Sequence, residues 1–237
     1  MTRHSTAPPN AFVNFSTNGL VFQLSREDQN RLQQICQTVS LDQGQCLCPP
    51  KSNSPAKVYF LTGACVILWV NNPDQARLAV GLIGTEGAVG LGAALGQQVS
   101  HLQFEVQTAG QAWCADSQEL QGLLQAHPTI LWAVARYLWL MTHDIANMAA
   151  TIQGDNIATR LAAWLVLCAQ RTQAAKLQLT HDQLARMMGV RRVSVTLAAM
   201  AFKEQGLLDY KRGVINILNM EGLVQQARAH APACMPS

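Results

Sequence analysis

Short apolar runs, separated by glycine, proline and asparagine, fill the first half of the chain. These runs cover residues 58–62, 64–70, 77–83, 102–107 and 112–115. Short β-rich runs at regular turn spacing are typical of an all-β sandwich or barrel rather than of alternating strands and helices. The pattern therefore predicts a β domain over residues 13–127.

From Leu131 onward the apolar residues follow a helical period. They stand three and four residues apart over about three heptads, which is the a and d spacing of a coiled-coil seam. The seam consists of Leu131, Val134, Leu138, Met141, Ile145, Met148 and Ile152. A stripe this narrow favours packing against a partner helix, most simply the same helix of a second subunit. We therefore interpret residues 128–153 as a dimerisation helix; the alternative is that the stripe packs on the β domain of its own chain.

The remaining segment, residues 154–230, has the pattern of a helix-turn-helix. Thr180 and Gln183 fit a capping box, which predicts a helix from His181. Gly189 can take a left-handed conformation and so allows a sharp turn into a second helix over 191–205. Two short apolar runs, 207–210 and 214–218, then flank the turn 211–213 and predict a β-hairpin. A hairpin after a helix-turn-helix makes the unit a winged variant.

In a helix-turn-helix, the second helix enters the major groove with its N-terminal residues toward the base edges. Arg191 and Arg192 are the leading candidates for DNA contacts, because guanidinium groups pair bidentately with guanine or hold phosphate. We also expect contacts to bases or backbone from Ser194 and Thr196, and to phosphate from Thr180, Lys203, Lys211 and Arg212.

The charge of the chain supports a nucleic-acid partner. The net charge is +3, but from Lys176 onward eight Lys and Arg stand against four Asp and Glu, while the preceding residues carry a net −1. A basic C-terminal module on a nearly neutral body is typical of nucleic-acid binding. Hydrophobic residues make up 49% of the chain and charged residues 13%, which excludes a disordered or highly charged chain.

Residues 179–223, LTHDQLARMMGVRRVSVTLAAMAFKEQGLLDYKRGVINILNMEGL, resemble the DNA-binding domain of the Crp/Fnr family of bacterial transcription regulators. The upstream layout is similar to the same family, so the resemblance covers nearly the whole chain past about residue 20. It implies an α+β fold with an N-terminal β jelly-roll domain of cyclic-nucleotide-binding type, a long dimerisation helix and a C-terminal winged helix-turn-helix. It also implies a homodimeric, sequence-specific regulator whose N-terminal domain senses an effector, with double-stranded DNA and RNA polymerase as partners.

Two departures from the family pattern change what the resemblance implies. Family members usually read bases with Arg-Glu-x-x-x-Arg, whereas the matching stretch here, 192–197, reads RVSVTL, so no operator preference carries over. Nucleotide-binding relatives hold the cyclic phosphate with a Gly-Glu loop and a following arginine, and Ser100 and His101 stand where that arginine is expected. Burying a phosphodiester without a cation is costly, so we do not expect cAMP as the effector. The candidate effector pocket consists of Gly84, Glu86, Gly87, Gly90, Ser100 and His101.

The sequence has no pattern that indicates catalysis or a cofactor. The histidines and seven cysteines lack zinc or iron–sulfur spacing, and no nucleophile motif occurs. We therefore expect no enzymatic activity, no cofactor and no metal. The best apolar stretch, 129–150, contains Arg136, His143 and Asp144, and the N-terminus lacks a signal-peptide pattern, so we expect a cytoplasmic protein without a membrane partner.

A second function stays open at this point. Val193 and Leu197 occupy the predicted recognition helix where polar readers usually stand. The chain could therefore be a redox or small-molecule sensor that acts mainly through protein–protein contacts. Specific DNA binding separates this alternative from the regulator.

Overall fold

The structure is a computed structural model that describes residues 14–47, 56–70, 77–97, 102–154 and 156–228. A 3-10 helix, Phe15–Thr17, precedes the helices α1 (Gly19–Phe22), α2 (Arg26–Gln34), α3 (Leu91–Ala94), α4 (Ser117–Ala126), α5 (Pro128–Gly154), α6 (Ile157–Thr172), α7 (His181–Met188), α8 (Arg192–Glu204) and α9 (Met220–Arg228). The strands are β1 (Cys36–Leu41), β2 (Cys46–Leu47), β3 (Lys57–Leu61), β4 (Cys65–Val70), β5 (Leu78–Ile83), β6 (Ala88–Val89), β7 (Leu102–Thr108), β8 (Gly110–Asp116), β9 (Lys176–Leu177), β10 (Leu208–Lys211) and β11 (Val214–Ile217).

The first eight strands form two antiparallel sheets that pack face to face. The first sheet has the order β1-β8-β3-β6 and the second the order β2-β7-β4-β5. Side chains alternate between the faces of each strand, so each sheet sends every second residue into the space between them. The core between the sheets contains Leu61, Val66, Leu68, Phe104 and Val106. This arrangement is a β sandwich of the jelly-roll type.

Strand β4 is buried on both of its faces. Its inward residues lie in the sandwich core, whereas Cys65, Ile67 and Trp69 point outward and are also buried. These outward residues belong to the same hydrophobic cluster as the interior of the C-terminal domain. A continuous apolar run is what a strand covered on both faces requires. The second sheet is thus covered by the C-terminal part of the chain.

The long helix α5 corrects the predicted dimer seam. Val134 and Met148 are buried inside their own chain, so the assignment of these two residues to a dimer interface is wrong. Leu138, Met141 and Ile145 are half-buried and pack against the β-domain clusters. A helix that lies on its own core has the same three-and-four spacing as a seam, and this alternative holds here. Leu131 is exposed, and the side chain of Ile152 lies outside the described part of the chain.

The C-terminal domain consists of α6 to α9 and the three-stranded sheet β10-β11-β9. Asn156 caps α6, because its side chain accepts a hydrogen bond from the N–H of Thr159. The interior of the domain includes Trp164, Leu184, Met187, Val195 and Phe202. The predicted α+β fold, with a β jelly roll, a long helix and a winged helix-turn-helix, is confirmed. Among the described helices, none is long and apolar enough to cross a membrane.

Candidate nucleic-acid interface

The turn between α7 and α8 is fixed by backbone chemistry. The hydroxyl of Thr180 accepts the N–H of Gln183 at 3.1 Å, and Gln183 Oε1 accepts the N–H of Thr180 at 2.9 Å, which is the predicted capping box. Gly189 ends α7 in the left-handed region with a φ of 64°. The N–H of Val190 then donates to the carbonyl of Ala185 at 3.0 Å. These contacts set the direction in which α8 leaves the turn.

Helix α8 has one buried and one exposed face, and both are apolar. Its buried face consists of Val195, Ala199 and Phe202. The opposite face consists of Val193, Leu197 and Met200, whose exposed fractions are 68%, 62% and 44%. Arg191 stands at the N-cap position without a side-chain capping hydrogen bond, Arg192 is the first residue of the helix, and both are exposed. Among the described residues, neither arginine has a salt-bridge partner, so both guanidinium groups can bind an anion.

A small network behind the recognition helix involves His181, which the sequence did not single out. The hydroxyl of Thr196 donates to the carbonyl of Arg192 at 3.1 Å and lies 3.1 Å from Nδ1 of His181. The His181 ring meets the ring of Tyr210 edge-on at 4.7 Å. Burial, and then the nearby charge of Arg192, lower the pKa of His181 below its usual value. The hydroxyl of Thr196 thus connects α7 and α8. Ser194, the other predicted hydroxyl contact, is half-buried on the side of α8.

The wing carries its two cations at the tip of the hairpin. Arg212 and Gly213 have φ values of 48° and 80°, as a two-residue type I′ turn requires. Lys211 and Arg212 are both exposed. A Cβ added at Gly213 would lie 3.2 Å from Cγ2 of Thr180, so the tip of the wing lies beside the start of α7. The structure therefore brings Thr180, Lys211 and Arg212 together on one edge of the domain.

Lys203 differs from the other predicted phosphate ligands, because it already has an anionic partner. Its Nζ lies 2.7 Å from Oδ1 of Asp209 and 5.3 Å from the centre of the Tyr210 ring. The hydrogen bond with Asp209 raises the pKa of Lys203, and the same bond lowers the pKa of Asp209. The two charges largely cancel, so Lys203 contributes less to the basic surface than its position on α8 suggests.

The glycine-rich loop of the predicted effector pocket is filled by neighbouring helices. A Cβ at Gly87 would lie closer than 3.0 Å to three atoms of the Tyr137 side chain, and one at Gly84 equally close to the carbonyl of Arg171. Gly90 adopts a φ of 88° at the start of α3. Gly84 and Gly87 therefore let α6 and α5 approach the loop closely. Ser100 and His101 lie outside the described residues.

Glu86 connects this loop to both helices. Its carboxylate accepts the N–H of Gly84 at 2.9 and 3.1 Å, and Arg171 Nη1 lies 3.4 Å from its Oε1. Arg171 also forms an ion pair with Asp144 of α5. Burial raises the pKa of Glu86, and the charge of Arg171 opposes that rise. The loop is thus an electrostatic junction between the β domain, α5 and α6.

A cleft of about 530 Å³ lies between the second sheet and the helix-turn-helix. On the sheet side, Arg77 pairs with Glu105 at 3.0 Å and lies 4.7 Å from the centre of the Trp69 ring. On the other side, Arg192 lines the cleft together with residues of α7. The start of the recognition helix therefore faces the β domain as well as solvent. Within the described residues, no group of three or more His, Cys, Asp or Glu could hold a metal ion.

Comparisons with known proteins agree with this architecture. Residues 159–226 match the family model of the Crp-like helix-turn-helix domain, whereas no curated protein matches the chain. The c-di-GMP-responsive global regulator CLP of Xanthomonas campestris is 17% identical and has a TM-score of 0.66, with 81% of this chain and 99% of that chain covered. A Crp/Fnr-family regulator of Thermus thermophilus is 21% identical with a TM-score of 0.64, and the coverage is 81% and 98%. FixK2 of Bradyrhizobium japonicum is 17% identical with a TM-score of 0.64, and the coverage is 81% and 97%.

A jelly roll, a long helix and a winged helix-turn-helix follow one another along this chain. Residues 159–226 belong to the Crp-like helix-turn-helix domains, and over 81% of its length the chain shares its fold with a solved regulator of the Crp/Fnr family. The resemblance of residues 179–223 to a Crp-like DNA-binding domain is therefore confirmed.

Proposed function

We propose that the chain binds double-stranded DNA in a sequence-specific manner and regulates transcription as a homodimer. The observation that carries this proposal is the placement of exposed cations around α8. Arg191 and Arg192 lie at its start, and Lys211 and Arg212 lie at the tip of the wing. This is the geometry in which a recognition helix enters the major groove while the wing meets the adjacent backbone.

The homodimer is proposed on the face of α5 that the β domain leaves uncovered. Trp132 and Trp139 stand two turns apart and are 69% and 65% exposed, and Leu140 beside them is also exposed. Large exposed apolar side chains on one helix face indicate a protein interface. A two-fold axis through this face would place two recognition helices about 34 Å apart on a nearly palindromic site.

The β domain is proposed to sense an effector other than cAMP, because the sequence lacks the expected phosphate-binding arginine. The effector would act through α5, which contacts the Glu86 junction on one side and offers the proposed dimer face on the other. Effector binding can then change the relative populations of two domain arrangements. RNA polymerase is the proposed protein partner in transcription, and it rests on the family resemblance alone.

DNA binding by the full chain tests this function. Operators are first selected from a random double-stranded library, and their affinity is then measured by fluorescence anisotropy across a salt series. We expect selected sites to bind about 10³-fold or more tightly than scrambled DNA at physiological salt. Equal, weak and salt-sensitive binding to all sequences, with and without cell-extract metabolites, would refute the proposal and favour a sensor that acts through protein contacts.

Two variants separate base reading from backbone binding. Arg192→Ala should reduce discrimination at one base pair by about 1–3 kcal/mol if this arginine reads guanine. Lys211→Ala should weaken binding to all sequences to a similar extent and reduce the salt slope by about one. If both variants weaken all sequences equally, Arg192 binds backbone only.

A further inference from the structure

The outward face of the recognition helix is apolar at its centre. Val193, Leu197 and Met200 follow the spacing i, i+4 and i+7, so they form one stripe directly opposite the buried face of α8. The two residues nearest the N-terminus are the most exposed, at 68% and 62%. An exposed apolar stripe of this kind indicates a surface that a partner covers.

The surroundings of this stripe select the kind of partner. Arg191 and Arg192 border it at the helix N-terminus, and Lys211 and Arg212 lie on the wing. The complementary surface is therefore anionic at its edges and apolar at its centre. The major groove of DNA has this character wherever it contains thymine, since phosphates flank it and the C5-methyl groups of thymine lie on its floor.

Hydrogen bonding offers α8 few other means of reading bases. The hydroxyl of Thr196 is engaged with the carbonyl of Arg192 and with His181. Lys203 is paired with Asp209. On the part of α8 that would enter the groove first, the exposed side chains other than the arginines are Val193 and Leu197.

Building on the proposed function, we infer that Val193 and Leu197 are specificity-determining residues that select operators by contact with thymine methyl groups. The two side chains are four residues apart, a rise of about 6 Å along the helix. Base pairs are spaced by about 3.4 Å. Each half-site should therefore carry two contacted thymines within about two base pairs of each other.

Uracil substitution tests this inference directly, because uracil pairs like thymine but lacks the C5-methyl group. Each thymine of a selected operator is replaced in turn, and binding of the full chain is measured by anisotropy. We expect a loss of about fourfold at each contacted thymine, which corresponds to about 0.8 kcal/mol for one buried methyl-sized group. Replacement of the other thymines should leave affinity unchanged.

Alanine variants assign each methyl group to a side chain. Val193→Ala and Leu197→Ala should each bind the thymine operator more weakly and lose the uracil penalty at one position. Both sites are exposed and alanine favours helix, so the fold is preserved. Lys211→Ala is the matched control: it should weaken binding to the thymine operator and to the uracil-substituted operator equally, so the uracil penalty should remain. Phe22→Ala removes an equally exposed apolar side chain from α1 and should leave the affinities for the thymine operator and the uracil-substituted operator unchanged.

Three results would overturn the inference, and they differ from one another. Specific binding without any uracil penalty would leave the proposed function intact and refute methyl contact. A uracil penalty that persists in both alanine variants would assign the methyl contact to other residues. Failure to select any operator would refute the proposed function itself, and the apolar stripe would then belong to a protein interface.

Discussion

Replacing glycine with alanine should have opposite effects on stability at two positions, Gly87 in the glycine-rich loop and Gly122 in α4. At Gly87, an added Cβ would lie closer than 3.0 Å to the Oη, Cε2 and Cζ atoms of Tyr137, so the ring would have to move by about 1 Å to reach the ordinary contact distance of 3.4 Å. Tyr137 is 9% exposed and has little room to move. At Gly122, inside α4, the same Cβ meets nothing within 4 Å.

The expected free energies follow from these two environments. Gly87→Ala overpacks a buried junction and should lower the free energy of unfolding by about 3 kcal/mol, at the upper end of the usual cost. Gly122→Ala should raise it by about 0.8–1.0 kcal/mol, because alanine is the better helix former. Both values can be measured by urea unfolding monitored by circular dichroism.

A double-mutant cycle then assigns the cost at Gly87 to the tyrosine ring. Tyr137→Leu shortens the side chain that the new methyl group would meet, so the two substitutions together should cost clearly less than the sum of the two alone. If Gly87→Ala is tolerated like Gly122→Ala, the loop does not pack on α5 as described, and an open, ligand-accessible loop becomes the better interpretation.

Three further predictions concern charge and assembly. Asp209→Asn should release Lys203, strengthen binding to all DNA sequences and increase the salt slope by about one in an anisotropy series; an unchanged slope would contradict the local pairing. Burial raises the pKa of Glu86, so its contribution to stability is greatest below its ordinary pKa of 4.5 and is lost as the pH rises. The free energy of unfolding of the Glu86→Gln variant, relative to that of the natural protein, should therefore increase between about pH 4 and pH 7 in urea titrations. A difference that stays constant with pH would show that the pKa of Glu86 is not raised by folding. Trp139→Ser should shift sedimentation toward the monomer without loss of helical circular dichroism, because the side chain is exposed within one chain; an unchanged dimer would place the interface elsewhere.

Local signals in the sequence were sufficient to predict the helix-turn-helix. The capping box at Thr180, the left-handed Gly189 and the turn at Arg212 and Gly213 each act through neighbouring residues. The structure has α8 at Arg192–Glu204, close to the predicted 191–205. Elements fixed by caps and turns are therefore accessible from sequence alone.

Features that depend on distant contacts were not accessible in the same way. The three-and-four spacing on α5 is common to a dimer seam and to a stripe on its own core, and only the position of the β domain shows that Val134 is buried. The glycines near Glu86 suggested a ligand cradle, but the side chain above Gly87 comes from Tyr137, 50 residues later. His181 follows no motif, and its role arises from the approach of Thr196 and Tyr210.

The hydrophobic cluster shared by β4 and the C-terminal domain has a consequence for cooperativity. Ile67 and Trp69 lie in one continuous core with Met187 and Phe202. If either the β domain or the C-terminal domain unfolded, the other would therefore lose part of its buried apolar surface. We expect a single unfolding transition for the chain in this arrangement. Rotation of the C-terminal domain away from the sheet would expose the outer face of β4 to solvent. Hydrogen exchange at the amides of Cys65–Val70 would then report the position of α8 from within the β domain.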